Sequence, residues 1–258
     1  MSRATSEGFL VFKMPSPATL LRTEMRSVAV RRALSAEFLG TLLLTFFTAG
    51  VVIVTAGMLG EKLSSSRLLV TALAHGLAFG LLVFTTVGMS AGHLNPILTL
   101  GAAIMRQMTF ARGLIYVAAQ LLGAVVGALV LRIALPAGVP MILGVPALGP
   151  RVSPGSALVV EGVLAFTLTA AFLGCVGKGS APVVVGLTTA LGRLFGTALT
   201  GAPMNPALVF GIGLTAGSWA GHWIWWLGPM LGSALAALCW RSWFAKGDAG
   251  RHGGDGRS

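Results

Sequence analysis

The chain has 258 residues, 55% of them hydrophobic and only 10% charged, with a formal net charge of +11. A soluble domain carries about 25% charged residues, so this chain has too few to cover a water-facing surface. That excludes an ordinary soluble enzyme or binding module and points to lipid as the solvent. The excess of Lys and Arg would suit nucleic acid or anionic lipid if clustered on one surface, but its distribution along the chain indicates otherwise.

In chain order, residues 1–33 are polar and basic, with Arg3, Lys13, Arg22, Arg26, Arg31 and Arg32 against Glu7 and Glu24. The region lacks the apolar core and small-residue cleavage site of a signal peptide. It reads as a cytosolic tail, with a transit peptide as the alternative. Six apolar runs follow, at about 34–57, 68–88, 113–135, 157–177, 183–200 and 222–244. Each approaches the roughly 20 residues needed to cross a bilayer. Two shorter segments, about 96–105 and 206–214, each open with Asn-Pro. Proline suits the first helical turn, where its missing N–H is not needed. Ten residues cannot cross, so these segments are expected to be re-entrant half-helices. The stretch 136–154 holds five prolines and is expected to be a loop, and the glycine-rich, charged 245–258 is expected to be a disordered tail.

With both termini in the cytosol, thirteen of the eighteen Lys and Arg fall on the cytosolic side. Lys62, Arg67, Arg132 and Arg151 face out, and Arg193 lies within a span. The basic charge therefore sets orientation. Whether the membrane is the plasma membrane or an internal one is open, and no nucleic-acid partner is expected. Cys175 and Cys239 both sit in apolar runs and read as packed thiols.

The chain also repeats. Glu37 in the first span is matched by Glu161 in the fourth, and Asn95-Pro96 after the second span by Asn205-Pro206 after the fifth. Gln120-Leu-Leu-Gly123-Ala in the third parallels Pro229-Met-Leu-Gly232-Ser in the sixth. Three spans per half make the second half enter from the opposite side. Folds of this kind place their site near the midplane, at broken helices. The expected architecture is thus an all-α membrane protein of six spans and two half-helices. Repeat one covers about 34–135 and repeat two about 155–244, within one domain at 34–244.

An inverted repeat aims the N-termini of the two half-helices at each other. Each tip carries about half a positive charge and unpaired N–H groups. Asn95 and Asn205 add amide donors there. A water between them would accept from both, and the positive field would repel cations. Two ionisable side chains inside spans, His75 and Arg193, are costly facing lipid, at about 2.5–3.5 kcal/mol for a central Arg. Each lies seven residues from the outer end of its span, roughly 10 Å deep at 1.5 Å per residue. They are expected to face each other across one passage.

Ser90-Ala-Gly-His93-Leu-Asn95-Pro96 and Gly201-Ala-Pro-Met-Asn205-Pro206-Ala207 resemble the paired signature loops of the aquaporin family. Ala36-Glu37-Phe-Leu-Gly40-Thr41 resembles its first-span motif. Ala72–Gly80, Arg112–Gly127 and His222–Gly232 are most similar to the branch of plant tonoplast aquaporins and their animal relatives. The resemblance implies a homotetramer with one pore per subunit, passing water and in that branch often ammonia. It implies a selectivity filter at His75, Arg193, Ala202 and Leu208, and a role for Glu37 and Glu161 as acceptors for the re-entrant loops. His93 is read as bracing the first loop, or as sensing cytosolic pH. His222 reads as interfacial, beside Trp219, Trp223, Trp225 and Trp226.

The chain departs from the family pattern at three places. Ile97 stands where the first motif usually has alanine. Leu208 stands where an arginine usually follows the second Asn-Pro-Ala. Arg193 occupies a position that is commonly histidine, isoleucine or a small residue. We expect Arg193 to supply, from the opposite wall, the filter charge that Leu208 lacks, the alternative being a topology anchor that snorkels to the interface. Glycerol facilitation is the nearest alternative function. Leu208-Val209 argues against it, because glycerol-passing relatives usually carry aspartate after the filter arginine. An ion-coupled transporter is an alternative of another class. No Walker motif, haem signature or metal-ligand cluster is present, so no cofactor and no enzymatic reaction are expected.

Overall fold

The computed structural model describes residues 24, 26–60, 63–175 and 177–244. The tail readings for 1–23 and 245–258, and Lys62, lie outside the described residues. Among those residues there is no strand. Six long helices occur: α1 Val28–Ile53, α2 Ser65–Ser90, α4 Phe110–Ala134, α5 Pro154–Cys175, α6 Ala181–Thr200 and α8 Ile224–Phe244. Two short ones interrupt them, α3 Pro96–Ile104 and α7 Pro206–Ala216. At 1.5 Å per residue the long helices, of 20 to 26 residues, measure about 30–39 Å, the thickness of a hydrocarbon core. Five are apolar enough along their length to cross a bilayer. In α8, four tryptophans and Arg241 lower the hydropathy.

The first helix starts at Val28, earlier than the apolar run suggested. Ser27 caps it, accepting from Val30 N at 3.5 Å, and Arg31 and Arg32 are exposed on its first turn. The hydropathy signal begins only where the arginines end. Just before this cap, Glu24 holds the start of α4. It pairs with Arg112 at 2.6 Å and accepts from the Thr109 hydroxyl at 2.9 Å. Burial opposes ionisation of Glu24, but the bonds from Arg112 and Thr109 outweigh it, so its carboxyl titrates below the ordinary 4.5. The clasp therefore stabilises above the ordinary carboxylate pKa and is lost as pH falls through the lowered folded value. With Arg112 partly exposed, the pair contributes about 0.2–1 kcal/mol. Hydrogen exchange in the first turn of α1 should rise on acidification in the wild type but be pH-independent in Glu24→Gln, once intrinsic exchange is corrected.

Helix pairing follows the repeat. α1 packs on α4 and α5 on α8, while α2 and α6 pack on each other. Glycine permits each crossing. A Cβ on Gly123 or Gly127 would collide with the Phe38 or Leu42 carbonyl, and one on Gly232 with that of Gly162. Between α2 and α6 the contact is reciprocal. A Cβ on Gly76 would stand 2.6 Å from Gly186 O, and one on Gly186 would stand 2.7 Å from Gly76 O. Such two-way contact between equivalent residues is what an in-plane pseudo-two-fold axis produces. Outward faces carry Leu77, Leu81, Phe84, Leu122, Ile133 and Leu187, all well exposed. In water they would be an aggregation liability; in lipid they are solvated.

Candidate functional site: two capped half-helices and a passage

The loops before α3 and α7 have matching backbones. Ala91, Gly92 and Leu94 in the first and Gly201, Ala202 and Met204 in the second all have positive φ. Four of these six carry side chains, and such conformations cost about 1–3 kcal/mol each for non-glycine residues. The surroundings hold them. Ser90 Oγ accepts from Gly92 N at 3.2 Å, and Thr200 Oγ1 accepts from Ala202 N at 3.1 Å.

The turns deliver Asn95 and Asn205 to the two helix tips. Asn95 Oδ1 accepts from Ile97 N at 3.1 Å, and Asn205 Oδ1 from Ala207 N at 3.0 Å, with Pro96 and Pro206 opening the helices. Each amide nitrogen then crosses to the other repeat. Asn95 Nδ2 donates to Met204 O at 2.8 Å, and Asn205 Nδ2 donates to Leu94 O at 2.9 Å. An amide NH₂ has two protons. One on each asparagine is used in this cross-link, and the other remains for a guest. Both asparagines line a slot of about 10 Å³, walled by Leu44, Phe79, Leu168 and Thr189 among others. That is close to the space one water molecule needs.

The slot adjoins a wider cavity of about 220 Å³, and Thr48, His75, Pro203 and Leu208 line both. The wide cavity lies where α1 ends and α2 begins, reached by Val52, Leu63 and Arg67. His75 and Arg193 both line it. His75 Nδ1 sits 2.7 Å from Thr71 O, which can only accept, so Nδ1 carries the proton and Nε2 is left as an acceptor. Arg193 Nη1 donates to Gly201 O at 2.6 Å and to Ala202 O at 3.3 Å. The Ala202 methyl is fully buried against α6 and lines neither cavity, and Pro203 takes its place on the wall. Ala202 thus meets Arg193 through its carbonyl.

Glu37 is fully buried and accepts from His93 N at 3.0 Å, Leu94 N at 2.7 Å and Gln120 Nε2 at 2.7 Å. Gln120 Nε2 also reaches Thr99 Oγ1 at 2.9 Å, and that oxygen lies 3.1 Å from His93 Nδ1. The His93 ring is buried against Tyr116 and Phe172. In the second half Glu161 accepts from the Thr200 hydroxyl at 2.5 Å, and Trp225 Nε1 donates to Thr200 O at 3.0 Å. Proline stands at 229 where Gln120 stands in repeat one, so Glu161 has no amide donor from the last span; it keeps a backbone bond to Met204, and an indole ties the loop at Thr200 O. In the sequence Gln120 and Ser233 stand out only as repeat markers, and Thr99 and Thr200 carry no signal. The one usable signal is a glutamine amide inside an apolar span, which must find partners.

Ile97 does not reach the passage. It is fully buried in the core with Leu98, Leu168 and Met204, and its carbonyl accepts from Ser233 Oγ at 2.5 Å. Ile97→Ala should cost about 2–5 kcal/mol. Thermal unfolding of the purified variant would show the loss, while permeability per folded channel stays near wild type.

Apolar helices on a membrane scale, with two half-helices whose tips meet beside a narrow slot that adjoins a wider cavity, are the architecture of a multi-pass membrane protein. The sequence profile of the major intrinsic protein family matches residues 24–240. The chain is 43% identical over 229 residues to the lens fiber major intrinsic protein of Gallus gallus, covering 83% of this chain and 82% of that protein. It is 37% identical to aquaporin-5 of Mus musculus over 84% of this chain and 83% of that one. It is 36% identical to aquaporin TIP4-1 of Zea mays over 86% and 89%. The aquaglyceroporin from Plasmodium falciparum shares the fold, with a TM-score of 0.75 at 23% identity over 84% of this chain and 98% of that one. The chain belongs to the major intrinsic protein family. It is a passive membrane channel for water and small solutes and not an enzyme.

Proposed function

We propose that the chain conducts water in single file, with ammonia and other small neutral solutes as secondary cargo. The observation that carries this reading is the one-water slot flanked by Asn95 and Asn205, each amide with a proton to spare. A water there accepts from both asparagines and turns its own protons outward, which breaks a proton wire. The wide cavity is the outer mouth, and both termini lie in the cytosol. Four chains assemble as a homotetramer, each keeping its own passage. Swelling of proteoliposomes in iso-osmotic glycerol and urea, set beside shrinkage in an impermeant osmolyte and uptake in an ammonium gradient, tests the cargo. Water flux without glycerol entry fits the proposal, and rapid glycerol swelling would replace it with the facilitator reading.

The filter in this proposal is His75, Arg193, Leu208 and the backbone of Ala202, with Arg193 as its cation. Its guanidinium is held by the second loop's own carbonyls, which supports a fixed charge at the mouth rather than an anchor at the lipid interface. Arg193→Ala should raise proton leak by about tenfold or more, the loss of roughly 1.4 kcal/mol of barrier, while water still passes. Pyranine-loaded vesicles read the leak. Unchanged leak together with unchanged water flux would remove Arg193 from the filter.

A further inference from the structure

The slot beside the asparagines is rich in donors and poor in acceptors. Asn95 and Asn205 offer it N–H groups, while the Leu94 and Met204 carbonyls next to them are taken up by the cross-link. A water bound to both asparagines still has two protons of its own to place. The polar side chains along the slot are Thr48, His75, Asn95, Thr189 and Asn205. Thr48 and His75 also line the wide cavity, so they stand at the mouth end. Thr189 lines the slot and not the wide cavity, as the two asparagines do. It lies in α6, about one turn before Arg193, and is only 5% exposed. A threonine inside a helix commonly gives its proton to the carbonyl four residues back. Thr188 does so to Val184 O at 2.7 Å, Thr197 to Arg193 O at 2.6 Å and Thr48 to Leu44 O at 2.6 Å. Thr189 does not. Its hydroxyl is buried with no hydrogen-bond partner among the described residues. A buried hydroxyl left unpaired is costly, and the Leu44, Phe79 and Leu168 side chains around the slot have nothing to offer it. A molecule in the slot does, because a hydroxyl oxygen has two lone pairs with which to accept.

We propose that Thr189 is a third coordinating group in the slot, its oxygen accepting a proton from the water that the two asparagines hold. The role rests on the reading of the slot as a water passage. A water stripped of its neighbours on entry recovers one bond at Thr189, which lowers the barrier at the narrowest point. Thr189→Val is the discriminating variant, because it keeps the shape of the side chain and the width of the slot and removes only the hydroxyl. It should lower osmotic water permeability per channel roughly threefold to tenfold, the effect of one neutral hydrogen bond at the barrier, and steepen the temperature dependence. Thr189→Ser, which restores the hydroxyl, should keep the wild-type rate and temperature dependence. Stability separates this role from a structural one. Replacing an unpaired buried hydroxyl by a methyl group of the same shape is neutral or stabilising, so Thr189→Val in detergent should unfold at a temperature no lower than wild type. A hydroxyl bonded within the protein would make the valine variant less stable. Stopped-flow shrinkage of proteoliposomes matched for channel content, with thermal unfolding of the same preparations, reads both quantities. A valine variant as fast as a water-conducting wild type, a serine variant as slow as the valine one, or a valine variant markedly less stable than wild type would overturn the role of Thr189 and leave the passage standing. A wild type no faster than empty vesicles would reject the passage itself, and the role of Thr189 with it.

Discussion

Asn95→Leu will lower osmotic water permeability about tenfold or more. The substitution keeps the side chain's approximate size but removes three functions at once. Ile97 N loses its cap, Met204 O loses the donor that ties the two repeats together, and water in the slot loses a hydrogen bond. An unmade hydrogen bond in a buried site costs about 1–3 kcal/mol, and 1.4 kcal/mol at the barrier is tenfold in rate. Asn205→Leu should behave alike, because its bonds to Ala207 N and Leu94 O are the mirror image. Asn95→Asp separates the functions. The carboxylate still caps α3, but it can no longer donate to Met204 O, and it places a negative charge where the two helix tips supply a positive field. Water flux should fall while cation conductance, read electrically, rises. Stopped-flow light scattering on vesicles matched for channel content makes the comparison, and wild-type flux in the leucine variants would contradict the role given to the asparagines.

Glu37→Ala should have the largest effect on stability. It leaves His93 N, Leu94 N and one Gln120 proton without their acceptor in a fully buried site, at about 1–3 kcal/mol for each orphaned group. The first loop then keeps Ala91 and Leu94 in left-handed conformations with only the Ser90 and Asn205 side chains to hold it. Unfolding in detergent, followed by tryptophan fluorescence, should shift well below wild type, and the variant should lose water flux as well. Glu161→Ala should cost less, since it loses the Thr200 hydroxyl and the Met204 backbone donor but has no counterpart of Gln120 or of His93 N, where Pro203 stands, and Trp225 still holds the Thr200 carbonyl. Equal losses at the two glutamates would mean that the halves are braced in the same way, contrary to the geometry.

Much of the fold was legible because each signal was local. An apolar run of bilayer length, a proline after an asparagine, and a doubled glutamate each depend on a few neighbouring residues. The half-helices begin where the Asn-Pro pairs placed them, and the second runs to Ala216, two residues further than read. Hydropathy alone starts the first helix too late, because Arg31 and Arg32 mask its first turn. His75 and Arg193 lining one cavity was legible from depth counting, as both lie at the same distance from a span end. What each side chain bonds to was not. The Asn95 donor reaches the Met204 carbonyl, 109 residues away in sequence, only because an inverted repeat folds one loop against the other. Likewise Arg193 takes carbonyls from a loop that turns back beneath it, and the Ala202 methyl points away from the wall on which motif counting had set it. Ile97 reads as an intrusion by motif and proves to be core, at the place where α3 packs against α8.

On the proposed function, water moves past the joined tips of α3 and α7. Osmotic shrinkage of proteoliposomes, compared between wild type and the Asn95→Leu, Asn205→Leu double variant across a range of temperatures, tests it most directly. Wild type should equilibrate much faster than empty vesicles with a weak temperature dependence, and the double variant should approach the rate and steep temperature dependence of bare lipid. Wild-type shrinkage no faster than empty vesicles, or a double variant as fast as wild type, would rule out water movement past the two asparagines.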